Sequence, residues 1–356
     1  MANIFKYLQD NKTKLAESKI NLLDDVILSW LSYYNYPSDV IATPFSLSSL
    51  NDKRFFKDKY FFKDAANPTP SKKLFKIIVK HPRYKDLELF DFKFVKDKEQ
   101  FIQFAAITIK ISNDLYAISY RGTDPSFLGW REDFLLACKE IIPSQQIAKE
   151  YLEEQMKKLN GKFLLVGHSK GGNLAQVSFY LTSKENRERI LKVTALDAPG
   201  YMKDFSYIEN FDKEKTKVHK LVPKATFIGM ILNKNQEYKI VDSTSFSFFQ
   251  HNVFTWKVVD HHFIYLSKRT KRSIRLSNAF NNWVDKLTID EKLKFTTIVF
   301  DFFEDTGADD FFTLFFKFPK YMTPLIKIYK NMDDQDKQYV KRLLKLLKLE
   351  YKKAKK

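Results

Sequence analysis

One serine of this chain stands between glycines in a spacing typical of a nucleophile. Gly167, Ser169 and Gly171 match G-x-S-x-G, and Gly172 adds a further small residue. In such an elbow the serine holds a strained backbone conformation that projects its Oγ, and side chains at the glycine positions would collide with strand and helix. The apolar "KFLLVG" before it and the amphipathic "GGNLAQVSFYLTSK" after it supply the required strand and helix. We predict a nucleophile at Ser169; the alternative is a structural turn that contains a serine.

A nucleophilic serine needs a base, and an acid that orients this base. In the chain order of this motif the acid and then the histidine follow the serine. Three histidines remain as candidates for the base: His251, His261 and His262. His251 follows the apolar "FSFF" and opens a turn, which suits a base on the loop after the last core strand. We therefore predict that His251 is the base.

The acid is less sharply defined. Asp197 ends the predicted strand "ILKVTALD", at the carboxyl edge of the sheet where such sites assemble. We favour Asp197, although an aspartate here could also serve as a capping or turn residue. Asp242, in "YKIVDSTS", and Asp260, just before the histidine pair, stay open as alternatives.

An acyl-transfer site also needs two N–H donors for the oxyanion. One should be the backbone N–H of Lys170, which follows the nucleophile at the start of a helix. The other should come from a loop after an earlier strand. The stretch "AISYRGTDPSFLGWREDF" offers Thr123, through its backbone N–H and its hydroxyl. The alternative for Thr123 is a polar β-turn.

The elements around these residues alternate between strands and helices. This alternation predicts an α/β fold of the α/β-hydrolase type, with a mainly parallel sheet, helices on both faces and helical additions at both ends. Residues 1–95 form a helical N-terminal region that could act as a lid or cap, residues 96–267 form the hydrolase core, and residues 268–356 form a basic helical C-terminal region.

The composition of the chain limits its class and its partners. The chain has 356 residues and a formal net charge of +18, which favours anionic partners, although a lysine-rich composition can also reflect an AT-rich genome. The one cysteine, Cys138, excludes an intramolecular disulfide and a cysteine metal cluster. No signal peptide or membrane-spanning run is apparent. We expect a cytoplasmic protein that could bind membranes peripherally, with no cofactor and no metal.

Much of the positive charge lies in the C-terminal region. Residues 311–356 hold 13 Lys and Arg against 4 Asp and Glu. The last predicted helix places apolar side chains on one face, namely Val340, Leu343, Leu344, Leu347 and Tyr351. This basic amphipathic pattern fits an anionic lipid surface; the alternative is a helix packed on the core with a solvated basic face. No nucleic-acid motif accompanies the charge, so we expect no nucleic-acid binding.

Several motifs in order carry a family resemblance. "YRGTD", "GWREDF", "GHSKGGNLA", "LDAPGY", "LVPKATFIGMIL" and "QHNVFTWKV" together resemble the Mbeg-like family of bacterial α/β-hydrolase proteins, over about residues 21–305. That family is similar to the class 3 lipases, with their R-G-T/S oxyanion loop, W-x-x-D and G-H-S-x-G-G. These motifs correspond here to Arg121–Thr123, Trp130–Asp133 and the elbow, with Lys170 in the variable place.

One departure concerns the acid. Class 3 lipases carry it shortly before a V-P pair or next to it, and "KLVPKAT" has none. "LDAPGY" instead resembles the acid site of pancreatic-type lipases, an analogy that favours Asp197.

The resemblance implies an esterase or lipase-like hydrolase that cleaves a small-molecule or lipid ester through an acyl-enzyme. Two alternatives remain open. One is an inactive hydrolase-fold module that binds an anionic membrane or a partner through its basic C-terminal helices. The other is a thioesterase, peptidase or acyltransferase with the same triad.

Overall fold

A mixed sheet of nine strands forms the centre of the molecule. The computed structural model describes residues 2–65, 67–234 and 236–354. The strands are β1 (Phe45–Ser46), β2 (Glu88–Asp97), β3 (Ile102–Lys110), β4 (Leu115–Tyr120), β5 (Lys162–His168), β6 (Ile190–Leu196), β7 (Val218–Pro223), β8 (Lys239–Val241), β9 (Val258–Val259), β10 (His262–Phe263) and β11 (Tyr265–Leu266). Within the sheet the order is β1-β2-β3-β4-β5-β6-β7-β8-β11, and β9 pairs with β10 separately.

Helices connect and cover the strands. They are α1 (Ile4–Asp10), α2 (Leu22–Trp30), α3 (Ser38–Ile41), α4 (Lys53–Lys57), α5 (Pro68–Ile78), α6 (Phe127–Leu135), α7 (Pro143–Lys158), α8 (Lys170–Leu181), α9 (Lys184–Arg189), α10 (Phe211–Glu214), α11 (Lys271–Asp285), α12 (Ile289–Glu304), α13 (Phe311–Phe316), α14 (Phe318–Asn331) and α15 (Asp334–Lys353). None of the described helices is both long enough and apolar enough to cross a membrane.

The directions of the strands place the site. Strands β4 to β8 run parallel, whereas β1 to β4 pair antiparallel and β11 pairs antiparallel with β8. The loops that follow β4, β5 and β6 therefore emerge at one edge of the sheet, the carboxyl edge where open α/β sheets assemble their sites. The expectation of a large, mostly parallel sheet with helices on its faces is confirmed.

The two faces of the sheet have separate cores. Along β5, Leu164 and Val166 join the cluster that contains α2, whereas Phe163 and Leu165 join the cluster of α7 and α8. This alternation follows from the two-residue period of a strand, and both faces are apolar because both are covered. The N-terminal helix α2 thus lies directly on the central strands. Strand β2 crosses residue 95, and the division into regions 1–95, 96–267 and 268–356 stays a prediction.

The C-terminal helices form a third core. Leu343 of α15 is fully buried, and its carbonyl accepts a hydrogen bond of 3.0 Å from Trp283 Nε1 of α11. Val340 and Leu347 pack on the same cluster, which also includes Leu135 at the end of α6. Much of the apolar face predicted for the last helix is therefore turned inward.

Candidate active site

Ser169 lies between the end of β5 and the start of α8 with a positive φ. Its φ is 57° and its ψ is −130°. A non-glycine residue in this region is strained by about 1–3 kcal/mol and persists only where its surroundings impose it. Two backbone hydrogen bonds hold this conformation. Ser169 N–H donates to Leu196 O at the end of β6 (2.9 Å), and Ser169 O accepts from Gly172 N–H (3.0 Å).

The glycines of the elbow lie where no side chain fits. A Cβ built on Gly167 would lie 2.2 Å from the carbonyl of Gly171, and one built on Gly171 would lie 2.1 Å from Tyr120 O. A Cβ on Gly172 would lie 2.7 Å from Ala198 Cβ. These distances are far below van der Waals contact, so the close packing of β5, α8 and the neighbouring strands requires glycine at all three positions.

An acid–histidine pair lies beside the elbow. Asp197 directly follows β6 and is fully buried, and its Oδ2 lies 2.6 Å from His251 Nδ1. Its Oδ1 accepts a hydrogen bond of 3.0 Å from Gly229 N–H. Because an ionised carboxylate can only accept, His251 Nδ1 carries the proton, and in the neutral ring Nε2 is left as a proton acceptor. The His251 side chain keeps 20% of its surface exposed, which leaves the ring accessible from solvent.

The other two acid candidates have different partners. Asp242 accepts a hydrogen bond from Lys257 (2.7 Å) and is paired with Lys224 (2.6 Å). Burial opposes ionisation there, but these lysines lower the pKa of Asp242 to about 2. Asp260 is exposed in the turn between β9 and β10. Among the described residues, neither carboxylate is hydrogen-bonded to His251.

His168 fixes the position of His251 relative to the elbow. Its Nε2 lies 2.9 Å from His251 O, and its Nδ1 lies 3.0 Å from Tyr33 Oη. Burial, and then the nearby His251, hold the pKa of His168 well below its usual range, so the ring is neutral. A neutral ring has one donor and one acceptor; here Nε2 donates to the carbonyl and Tyr33 donates to Nδ1. No pattern in the sequence predicts this contact of His168.

The ring of His251 lies against the residue that precedes Ser169, and no direct bond joins His251 to Ser169 among the described residues. The ring of His168, next to Ser169 in the chain, lies 4.5 Å from the ring of His251 between centroids. Among the described residues no hydrogen bond joins Ser169 Oγ to His251 Nε2. Such bonds are often long or poorly aligned in unliganded structures and tighten when substrate is bound.

Thr123 lies on the loop after β4, against the elbow. A Cβ built on the preceding Gly122 would lie 3.3 Å from Ser169 Cβ. The Thr123 hydroxyl donates to Asp133 Oδ2 of α6 at 2.7 Å. Its single proton is thereby engaged, so the backbone N–H is the group of Thr123 that remains for an oxyanion. Burial raises the pKa of Asp133 to about 6.

Lys170 occupies the first position of α8, where a backbone N–H has no acceptor within the helix. Its side chain is fully buried in a polar cluster. Lys170 Nζ donates to Gln103 O (2.6 Å) and Oε1 (2.9 Å), and forms an ion pair with Glu132 of α6. Gln103 Oε1 also accepts from the backbone N–H of Asp124, next to Thr123, at 3.3 Å. The cluster links both predicted oxyanion donors.

This cluster was missed from the sequence. Gln103 and Glu132 lie in different elements, and no spacing rule connects them to Lys170. The described residues include no group of three or more His, Cys, Asp or Glu that could hold a metal ion.

Comparison with known proteins identifies the family. The model of the Mbeg1-like family matches residues 78–301, and the chain belongs to this family, which confirms the resemblance carried by its motifs. No curated protein matches the chain.

Among solved structures, the M37 lipase is 16% identical, with 62% of this chain and 72% of that chain covered and a TM-score of 0.38. Lipase II from Rhizopus niveus is 12% identical, with 68% of this chain and 87% of that chain covered and a TM-score of 0.36. At TM-scores this low, neither likeness bears on the chemistry of this chain.

Proposed function

We propose that the chain is a serine hydrolase of the α/β-hydrolase fold that cleaves a carboxylic ester through an acyl-enzyme. The observation that carries the proposal is the 2.6 Å contact of Asp197 Oδ2 with His251 Nδ1 beside the strained Ser169. Such a contact sets the tautomer that a general base requires. The order of the three residues along the chain, and their places after β5, β6 and β8, also support the proposal.

The proposed reaction begins at Ser169. His251 Nε2 takes the Oγ proton as Oγ attacks the ester carbonyl, and Asp197 stabilises the imidazolium that forms. The N–H groups of Lys170 and Thr123 bind the oxyanion. His251 then gives its proton to the departing alcohol oxygen, which leaves an acyl group on Ser169. Water, deprotonated by His251, attacks this acyl group and releases the carboxylic acid.

Aromatic residues next to the base favour an apolar acyl group. Phe248 stacks on the ring of His251, with centroids 6.1 Å apart and an angle of 27° between the planes. Phe246 and Phe249 extend from it, in contact with each other at 5.2 Å, and are 71% and 45% exposed. Exposed aromatic side chains contiguous with a site indicate an apolar ligand. We propose a lipid or other acyl ester as the substrate.

The test uses a fluorophosphonate probe, which reacts with an activated serine. Wild-type protein is expected to label at Ser169 and to hydrolyse p-nitrophenyl esters. Ser169→Ala should abolish labelling and lower kcat at least ~10³-fold, because the nucleophile is lost. Ser206→Ala, at an exposed serine between β6 and β7, is the matched control and should leave both unchanged. An unlabelled wild type, or equal activity in Ser169→Ala, would overturn the proposal.

The same triad could act on thioesters or transfer the acyl group to another acceptor. The ratio of hydrolysis of matched oxygen and thiol esters separates the first case. Acyl transfer is tested by adding an alcohol. A transferase then forms a new ester with that alcohol and releases less free carboxylic acid.

A further inference from the structure

Helix α14 presents an apolar stripe to solvent. Phe318, Met322, Ile326 and Tyr329 are 41–51% exposed. Their spacing of four, four and three residues places them on one side of the helix. An adjacent side of the helix is already occupied, because Tyr321 is buried in a cluster with α6 and α13. The helix therefore carries a second apolar face, which is largely exposed to solvent.

Lysines border this stripe. Lys320, Lys327 and Lys330 are exposed on the same helix, and the sequence of α14 contains no aspartate or glutamate. Lys341 of α15 adds a further charge, with its Nζ 5.9 Å from the centre of the Tyr329 ring. A stripe of large apolar side chains beside lysines combines the two features that hold a helix in the plane of an anionic lipid surface.

The last helix lacks this combination. α15 is rich in lysine, but Leu343 and its neighbours are committed to the core with α11. Its remaining exposed apolar residues, Leu344 and Leu349, are five positions apart and do not form a stripe. The structure thus distinguishes two basic helices that look alike in charge.

We propose that the stripe of α14 and its lysines dock the protein on the surface of a bilayer that contains anionic phospholipid. The apolar side chains enter the boundary between headgroups and acyl chains, and the lysines meet the anionic headgroups. A second copy of this chain is a poorer occupant, because it would bring the same lysines against these. A nucleic acid would engage the lysines and leave the apolar stripe exposed to water.

Docking through α14 would bring the candidate site close to lipid. Tyr321, on the inner side of α14, belongs to the same cluster as Phe127 of α6, and α6 directly follows the loop that carries Thr123. This consequence rests on the proposed function, whereas the docking itself does not. Binding is therefore to be measured in both wild type and Ser169→Ala, which are expected to bind equally.

The experiment is co-sedimentation of the full chain with vesicles of phosphatidylcholine alone or with 30% phosphatidylglycerol. Wild type is expected to bind the anionic vesicles at least ~10-fold more tightly than the neutral ones, and more weakly as salt is raised. The triple change Phe318→Ser, Met322→Ser, Ile326→Ser should weaken this binding ~10-fold or more. The triple change Lys320→Gln, Lys327→Gln, Lys330→Gln should weaken it to a similar extent.

Two controls match these variants. Leu191→Ser, Tyr207→Ser, Ile289→Ser removes exposed apolar side chains elsewhere, and Lys345→Gln, Lys348→Gln, Lys352→Gln removes the same charge from α15. Both controls should bind within about two-fold of wild type, and all variants should keep their melting temperatures.

Three outcomes would overturn the proposal. The first is a wild type that does not bind anionic vesicles. The second is an equal loss in the α15 control, which would assign binding to bulk charge. The third is a wild type that is a dimer in solution and becomes a monomer in the Phe318→Ser, Met322→Ser, Ile326→Ser variant. That result would show that the stripe binds a second copy of the chain. Hydrolysis of a soluble ester by the stripe variant reports on the proposed function separately.

Discussion

At the scale of single residues, Lys170 takes part in the site in two ways. Its backbone N–H is a predicted oxyanion donor, and its Nζ is held by Gln103 and Glu132. Glu132 neighbours Asp133, which holds the Thr123 hydroxyl, and Gln103 holds the N–H of Asp124. The buried Lys170–Glu132 pair and its neighbours therefore hold the two predicted N–H donors in a fixed position relative to each other.

We expect Lys170→Met to lower kcat for a soluble ester ~10–100-fold with KM changed less than about three-fold, because small displacements of preorganised donors cost this much. The free energy of unfolding should also fall by about 3–5 kcal/mol, since Glu132 is left buried and unpaired. Steady-state kinetics and urea unfolding measure the two effects. Lys192→Met is the control: it breaks the Lys192–Asp25 pair, 2.7 Å long, with Asp25 fully buried. That variant should lose stability but keep kcat, and equal kinetic losses in both would contradict a positioning role.

At the scale of elements, the sequence predicts the positions of strands and helices well where a local hydrophobic pattern determines them. The strand predicted from the apolar run of β5 and the helix predicted after it, α8, both lie where the sequence places them, although every residue of α8 except Leu181 is buried. Helix α6 has a weak pattern, because its polar Arg131 and Glu132 face inward, so the sequence does not reveal it as a helix. Its polar side chains serve the site and an adjoining ion pair, and this use removes the periodicity that would have identified it.

The segment around His251 shows a second limit. A sequence rich in phenylalanine and valine favours strands on both sides of the turn at His251, yet residues 247–255 form 3₁₀-helical turns. Gln250 explains the difference: its Nε2 donates to Ser245 O (2.7 Å), and its carbonyl accepts from Trp256 Nε1 (2.8 Å). Side-chain hydrogen bonds to the backbone compete with a strand ladder here. The choice between Asp197 and Asp242 as the neighbour of His251 is likewise set by tertiary contacts that no local pattern encodes.

Helix α15 gives the prediction at this scale. Leu343→Ala should lower the free energy of unfolding by about 2–5 kcal/mol, because it leaves a cavity in the core shared with α11. Leu344→Ala, on the neighbouring and 49% exposed position, should cost less than about 1 kcal/mol. Urea denaturation followed by tryptophan fluorescence measures both, and Trp283 in the same cluster reports on it directly. Equal costs at the two positions would show that α15 does not pack as described.

At the scale of the whole molecule, buried ionisable groups make stability depend on pH with opposite signs. Burial raises the pKa of Asp133 from 3.8 to about 6, so this group costs stability as pH rises through that interval. Burial lowers the pKa of Lys220 from 10.5 to about 7. Lys220 Nζ donates to Asn233 Oδ1 and Gln236 Oε1, each at 2.7 Å. A neutral amine has two N–H donors for these two acceptors, which fits the lowered pKa.

Lys220 is expected to make the folded state more stable as pH rises from 7 to 10. In this window the unfolded chain keeps the proton on the amine and the folded chain does not, so the unfolded state binds more protons and stability increases with pH by up to ~1.4 kcal/mol per unit. Below pH 7 both states are protonated, and the cost of burying the charge is present in full.

Lys220→Met removes this contribution, so the free energy of unfolding of wild type minus that of the variant should rise from pH 7 to 10. Other titrating groups, the buried tyrosines included, cancel in this difference. Lys345→Met, at an exposed lysine, should give a flat difference in the same urea titrations. A flat or falling difference for Lys220→Met would mean that the amine stays charged when folded and that its two amide acceptors hold an ammonium.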